Sequence, residues 1–299
     1  MLAQFGSRAS SIGLFQILAM PIRALFAFAV ILMPGVALAH GFAGKRYFPP
    51  TIEIEDPFAA DEMHLFAGKR PARDGPGSRR ASVLSVGAST ELFDGFGVGI
   101  QSEYCAPNEN LGPVRNGADN VSVLIKKELQ IDDRNEWAVT AALGVELGGT
   151  GAAGASRATI FSPSVFYAKG FGNLAPEQWR WRPFALTGVL ALDSATDRQQ
   201  PMMLRWGFTV QYSLLYLQTH VRDLALSAPF DRMVPVIEVP LRTCLNNACS
   251  GKTYGSVNPG VIWVGPTFNL AFSLVLPINT ASGRGVGALL QFQKYLLPH

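Results

Sequence analysis

Along residues 136–149, EWAVTAALGVELGG, every second position is apolar: Trp137, Val139, Ala141, Leu143, Val145 and Leu147. The positions between them, Ala138, Thr140, Ala142, Gly144 and Glu146, are small or polar. A period of two is the period of a β-strand with one greasy face. LRWGFTVQYSLLYLQ repeats it, with Trp206, Phe208, Val210, Tyr212, Leu214 and Tyr216 opposite Arg205, Gly207, Thr209, Gln211 and Ser213. TFNLAFSLVLP sets Phe268, Leu270, Phe272, Leu274 and Leu276 against Thr267, Asn269, Ala271 and Ser273. FGVGIQSE, PFALTGVLAL and FSPSVFYAKG follow the same rule.

A soluble sandwich buries its large residues and shows charged ones to water. Here the second face carries mainly Gly, Ala, Ser, Thr and Gln, so the bulky face is the one that needs an apolar surround. Lipid outside and a crowded lumen inside account for both faces. Trp137, Trp181, Trp206, Tyr212, Tyr216 and Trp263 fall towards strand ends, where an aromatic girdle belongs. The pattern predicts strands near 61–68, 81–91, 95–104, 119–129, 135–147, 158–169, 181–192, 204–218, 233–242, 256–264, 267–277 and 285–296. Twelve is an even number, as single-chain bacterial barrels require; ten is the alternative, because the first strand is weakly patterned. The expected fold is an all-β, antiparallel up-and-down transmembrane β-barrel. FDG, IDDRNE and VGPT are tight periplasmic turns in this reading, and the longer Gly-, Asn- and Ser-rich connections face outside. GNLAPEQWR and THVRDLALSAP break that alternation, the second being long enough for a short helix.

Residues 20–42, MPIRALFAFAVILMPGVALAHGF, read as a secretory signal. Arg23 supplies the positive start, residues 24–33 the apolar run, and Ala37-Leu38-Ala39 the small-x-small cleavage site. The domain reading is therefore a signal peptide over 1–39 (Met20 being an alternative start), a periplasmic arm or plug over 40–60, and a barrel over 61–299. Only 16% of the residues are charged, against about 25% in a typical soluble domain. The net charge of +3, with scattered basic residues, gives no reason to expect a nucleic-acid partner. These features predict residence in the outer membrane of a Gram-negative bacterium, with membrane lipid and the barrel-assembly machinery as partners.

HGFAGKRYFPPTIEIEDPFAADEM, WGFTVQYSLLYLQTHVRDL, GSVNPGVIWVG and INTASGRGVG together resemble a family of exported proteobacterial outer-membrane barrels. That family is similar to the transporter-like barrels of the MetA-pathway, aromatic- or phenol-degradation type. The resemblance implies a porin-like fold and an outer-membrane location; it brings no catalytic or ligand residues with it. Barrels of this kind usually finish on an aromatic residue whereas this sequence ends QKYLLPH, so recognition by the assembly machinery would rest on Phe292 or Tyr295, or on an extended terminus.

Candidate chemistry is sparse. No phosphate loop, zinc signature or nucleophile elbow occurs, and no cofactor is expected. His40 would head the mature chain, where its amine and imidazole suit copper, although a chance cleavage position is the simpler account. Cys244 and Cys249 flank LNNA in an outer loop and are candidates for a disulfide, with Cys105 left over. Asp56, Asp61 and Glu62 form an acidic patch, read as a solvated turn with cation binding as the alternative. Ser213 and His220 lie seven residues apart and give hydrolysis little support. The expected function is a passive channel or transporter for a small solute; the alternatives are a lipid-modifying outer-membrane enzyme and a structural barrel without transport. The candidate lumen residues are Glu103, Lys126, Glu128, Glu146, Arg205, Gln211, Glu238, Asn269, Gln291 and Gln293. Both signs of charge occur among them, so an open pore and a plugged, salt-bridged interior both stand. The inward Gly97, Gly99, Ala142, Gly144 and Gly207 leave space, and KRYFPP offers cations to Glu103, Glu128 or Glu146.

Overall fold

The computed structural model describes residues 41–71, 81–107, 117–152 and 155–296. The expected signal peptide and His40 lie outside these residues. From Glu62 onward the chain runs up and down through β1 (Glu62–Lys69), β2 (Ala81–Phe93), β3 (Phe96–Pro107), β4 (Ser122–Asp132), β5 (Trp137–Glu146) and β6 (Ile160–Gly170). It continues through β7 (Phe184–Ala195), β8 (Met203–Tyr212), β9 (Met233–Cys244), β10 (Thr253–Val264), β11 (Phe268–Pro277) and β12 (Gly287–Tyr295). Each strand pairs antiparallel with the next. The ring closes between β12 and β1, where Phe292 faces Leu65 and Gln291 faces Phe66. Closure leaves the barrel wall without a free edge; among the described residues twelve long strands form it, and a two-residue strand, Gly117–Ala118, pairs with the end of β3. Among the described residues no helix is long and apolar enough to cross a membrane.

Strand faces follow the sequence alternation. On β5, Leu143 is 39% exposed whereas Thr140 is 0% exposed, so the bulky residue points out and the small polar one points in. Ile100, Phe161, Leu190, Leu270 and Phe272 are likewise exposed on the outer wall. Aromatic residues gather where the tight turns lie: Trp181 stacks on Phe184, Phe184 meets Tyr212 edge-on, and Trp263 packs on Phe268. Trp206, near the opposite rim, donates its indole N–H to Thr243.

Tyr216 departs from the girdle expected of it. β8 ends at Tyr212, and the chain then turns through a short helix, Leu214–Tyr216, and a π turn, Leu217–Val221. The Ser213 hydroxyl accepts the Tyr216 amide at 3.0 Å, which caps this turn and breaks the two-residue period. Tyr216 is thereby buried, and its hydroxyl donates to Glu136 Oε1 at 2.6 Å.

Residues 41–61 lie against the inward faces of the strands. They begin at the turn end, where Phe42–Ala43 pairs with Arg46–Tyr47 in a small hairpin. Gly44, at φ +61°, makes that turn, and its amide donates to Asp133 Oδ1 at 2.7 Å. The segment then climbs along β8 and β9, crosses, and descends along β4 and β5 to Asp61, whose carboxylate accepts from Thr90 and the Glu91 amide. Ala43, Phe48 and Phe58 pack with wall residues Ala138, Ala168 and Ala185. Ile54 packs with Phe166, Val189 and Ala191. The small wall residues make this approach feasible: a Cβ at Gly97 would stand 2.9 Å from that of Ala59.

Candidate functional site

Above residues 50–60 the barrel holds a cavity of about 760 Å³. Its floor is made by Thr51, Glu53, Glu55, Asp56, Phe58 and Ala59, and its walls reach Asp119, Asn120, Gln200 and Pro201 in the loop-end connections. It is a polar cup, closed below by the N-terminal segment.

The ten residues proposed from sequence for the lumen all fall on the inward-facing positions of their strands, but they do two different jobs. Six hold the segment or its neighbours. Glu238 Oε1 accepts the amides of Glu53 and Ile54 at 3.0 and 3.2 Å. Gln211 donates to the Pro49 carbonyl at 3.3 Å, and Glu128 accepts the Ala59 amide at 2.8 Å. Asn269 donates to the Tyr47 and Tyr295 hydroxyls, and Gln293 donates to Glu62. Lys126 Nζ reaches Glu55 Oε1 at 2.7 Å and the carbonyls of Asp56 and Phe58 at 2.9 and 3.0 Å. The other four belong to the cup or its wall: Glu103 accepts from Arg70 at 2.7 Å, Glu146 accepts from Asn120 at 2.9 Å, Arg205 faces Asp193 at 3.3 Å, and Gln291 lines the cavity.

The acidic patch is not a solvated turn. Asp56, Asp61 and Glu62 are buried, because the segment carries them under the barrel wall. Oxygens of Glu55, Asp56 and Glu62 lie within 4.8 Å of one another. The cation that Glu55 and Asp56 meet is the Lys126 ammonium, and Glu62 accepts from Gln293, as buried carboxylates require partners. Burial alone would raise the Glu55 carboxyl, but Lys126 beside it holds it below the ordinary carboxylate range. Asp56 sits farther from Nζ, at 3.8 Å, and there burial prevails and pushes the carboxyl up.

Sequence reasoning missed the lock at the turn end. The KRYFPP cation Arg46 does not reach Glu103, Glu128 or Glu146; it is fully buried and pairs with Glu136 at 3.4 Å. Its guanidinium also donates to the carbonyls of Pro183 and Arg182 and lies 3.5 Å from the Tyr216 ring centroid. The one signal in the sequence was Glu136 in a tight turn beside Trp137, and the turn gave no hint that its side chain points into the barrel. Cys244 and Cys249 form a disulfide in the β9–β10 loop, and Cys105 is a free thiol donating to Glu103. Ser213 serves as the helix cap, and no hydrogen bond among the described residues joins it to His220.

No protein-family model matches the chain, and no curated protein does. Solved structures do. The chain is similar to the COG4313 outer membrane channel from Pseudomonas putida F1, at 9% identity and a TM-score of 0.51, over 83% of this chain and 99% of that one. It is also similar to the NanC porin, at 12% identity and a TM-score of 0.49, and to the KdgM porin, at 8% and 0.47; each comparison covers 78% of this chain and 98% of the other. The likeness is one of fold. It agrees with the antiparallel β-barrel described above and assigns no solute.

Proposed function

We propose that this protein is an outer-membrane β-barrel that works as a passive conduit for small solutes, with residues 41–61 as a plug entering from the periplasmic end. The observation that carries the reading is the polar cup of about 760 Å³, which ends on a segment held to the wall by hydrogen bonds, ion pairs and apolar packing. A twelve-stranded barrel is too wide for wall side chains alone to fill, so its interior holds water, a ligand or a plug. The exposed aliphatic outer wall and the aromatic rims suit lipid, and lipid would make the barrel-assembly machinery a necessary partner. The apolar leader with its small-x-small end agrees with export to a Gram-negative outer membrane.

Opening requires the segment to shift. The β10–β12 wall is the side best suited to yield, because among the described residues buried polar atoms of Asn258, Ser273 and Gln291 form no hydrogen bond with protein there. On the β4 and β9 side the contacts are fully matched by Lys126 and Glu238. Reconstituted in liposomes, the full chain should admit small uncharged solutes slowly, with a sharp size cut-off. No permeation by any solute, through either the full chain or a chain lacking residues 41–58, would overturn the conduit reading.

A further inference from the structure

The charges of the cup are unequally matched. Arg70 is satisfied twice, by Glu53 at 3.3 Å and Glu103 at 2.7 Å. Its guanidinium is held above its ordinary pKa by these carboxylates, against the effect of burial. Arg205 meets one carboxylate, Asp193, at 3.3 Å. Arg242 meets none: among the described residues it forms no ion pair. The charges around it are Arg205 and Arg70, of its own sign, and Asp193 and Glu53.

Register makes this arrangement costly. Arg205 and Arg242 are direct cross-strand partners on β8 and β9, both on the cup face. Like charges placed directly opposite destabilise a sheet. A guanidinium also carries five N–H donors in a planar fork that fits a carboxylate in two parallel bonds. Arg242 stands exposed within the cup, with that fork unused. The neighbouring cup wall is apolar, being built of Met203, Ala195, Ile160 and Pro201. Farther round, Glu103 would repel a second negative charge.

We propose that Arg242, with Arg205 opposite it, is an anion-recognition site for the single carboxylate of a small organic acid whose apolar body rests on Met203 and Ile160. The site's place in transport rests on the conduit reading above; its ability to bind does not. The cup volume suits one such molecule, since small-molecule sites usually span about 300–1,000 Å³.

The test is calorimetric titration of the full chain in detergent with hexanoate, with hexylamine as the opposite charge and adipate as the dianion. Hexanoate should bind best, and Arg242→Gln should weaken it about tenfold, as expected for a lost charge-assisted pair. Arg242→Lys, which keeps the charge and loses the fork, should fall between the two. Asp193→Asn should tighten binding by freeing the second guanidinium, a gain that misfolding cannot mimic. Equal hexanoate affinity in the wild type and Arg242→Gln, or preference for hexylamine, would overturn the proposal. Binding without flux in liposomes would overturn the conduit and leave this site standing; flux together with equal hexanoate affinity in the wild type and Arg242→Gln would do the reverse.

Discussion

One oxygen of Glu238, in the middle of β9, accepts the backbone amides of both Glu53 and Ile54, at 3.0 and 3.2 Å. This pairing fixes the top of the N-terminal segment at the level where the cup begins. A strand residue therefore supplies what a turn would otherwise need from its own backbone, and the segment reverses there without regular secondary structure.

Glu238→Leu should loosen the segment and spare the barrel. Two buried amides would lose their acceptor, costing about 2 kcal/mol, or roughly thirtyfold in the exposed population. Labelling of Ile54→Cys by a thiol reagent, in a Cys105→Ser background, measures this. Unchanged labelling would mean that the Glu238 contacts do not hold the segment.

The two faces of β5 should respond differently to charge. Leu143→Arg puts a cation on the outer wall and should cost about 2 to 4 kcal/mol at mid-bilayer in a refolding titration. From the alternation alone, Thr140→Arg is expected to be better tolerated for folding than Leu143→Arg, since it points inward. The structure adds what it would displace: Thr140 is 0% exposed and its hydroxyl donates to the Pro57 carbonyl, so the larger side chain must push the segment aside. Thr140→Arg should still insert into lipid vesicles, but with the segment displaced and ionic conductance raised. Equal loss of insertion in both variants would contradict a lipid-facing outer wall.

Alkaline pH should act through Tyr216. Burial, and then its hydrogen bond to the Glu136 carboxylate, push the hydroxyl up to about 12 from an ordinary 10.0. A raised folded-state pKa means that the neutral, donating form is favoured in the docked state. Its contribution is fully present below pH 10 and is lost as pH rises through about 12. Conductance should therefore stay level at neutral pH and climb in that alkaline window, and Tyr216→Phe should abolish the climb. A climb of the same size in Tyr216→Phe would assign it to other groups.

Most strands were legible because they repeat a local period, and the outward or inward sense of a residue such as Leu143 follows from parity alone. The first strand is the exception: its weak pattern leaves ten strands open, and its pairing with β12 decides for twelve. Tyr216 was misread because parity carries no warning of a cap, and Ser213 ends the strand by a hydrogen bond specific to that turn. The buried site was less legible still. Arg46 and Glu136 are 90 residues apart, and Lys126 meets Glu55 across 71, so their pairing depends on the path of a segment that has no periodicity. Arg205 and Arg242 could be placed opposite each other only once the β8–β9 register was known.

Removal of the segment tests the central claim most directly. A chain lacking residues 41–58, with the leader and its cleavage site retained, should still insert, because the β1–β12 pairing and the outer wall are untouched. In planar bilayers its single-channel conductance should exceed that of the full chain several-fold, with the size cut-off for permeating solutes rising in parallel. A truncated barrel that inserts yet conducts no better than the intact protein would contradict the account, since residues 41–61 could not then be what closes the lumen.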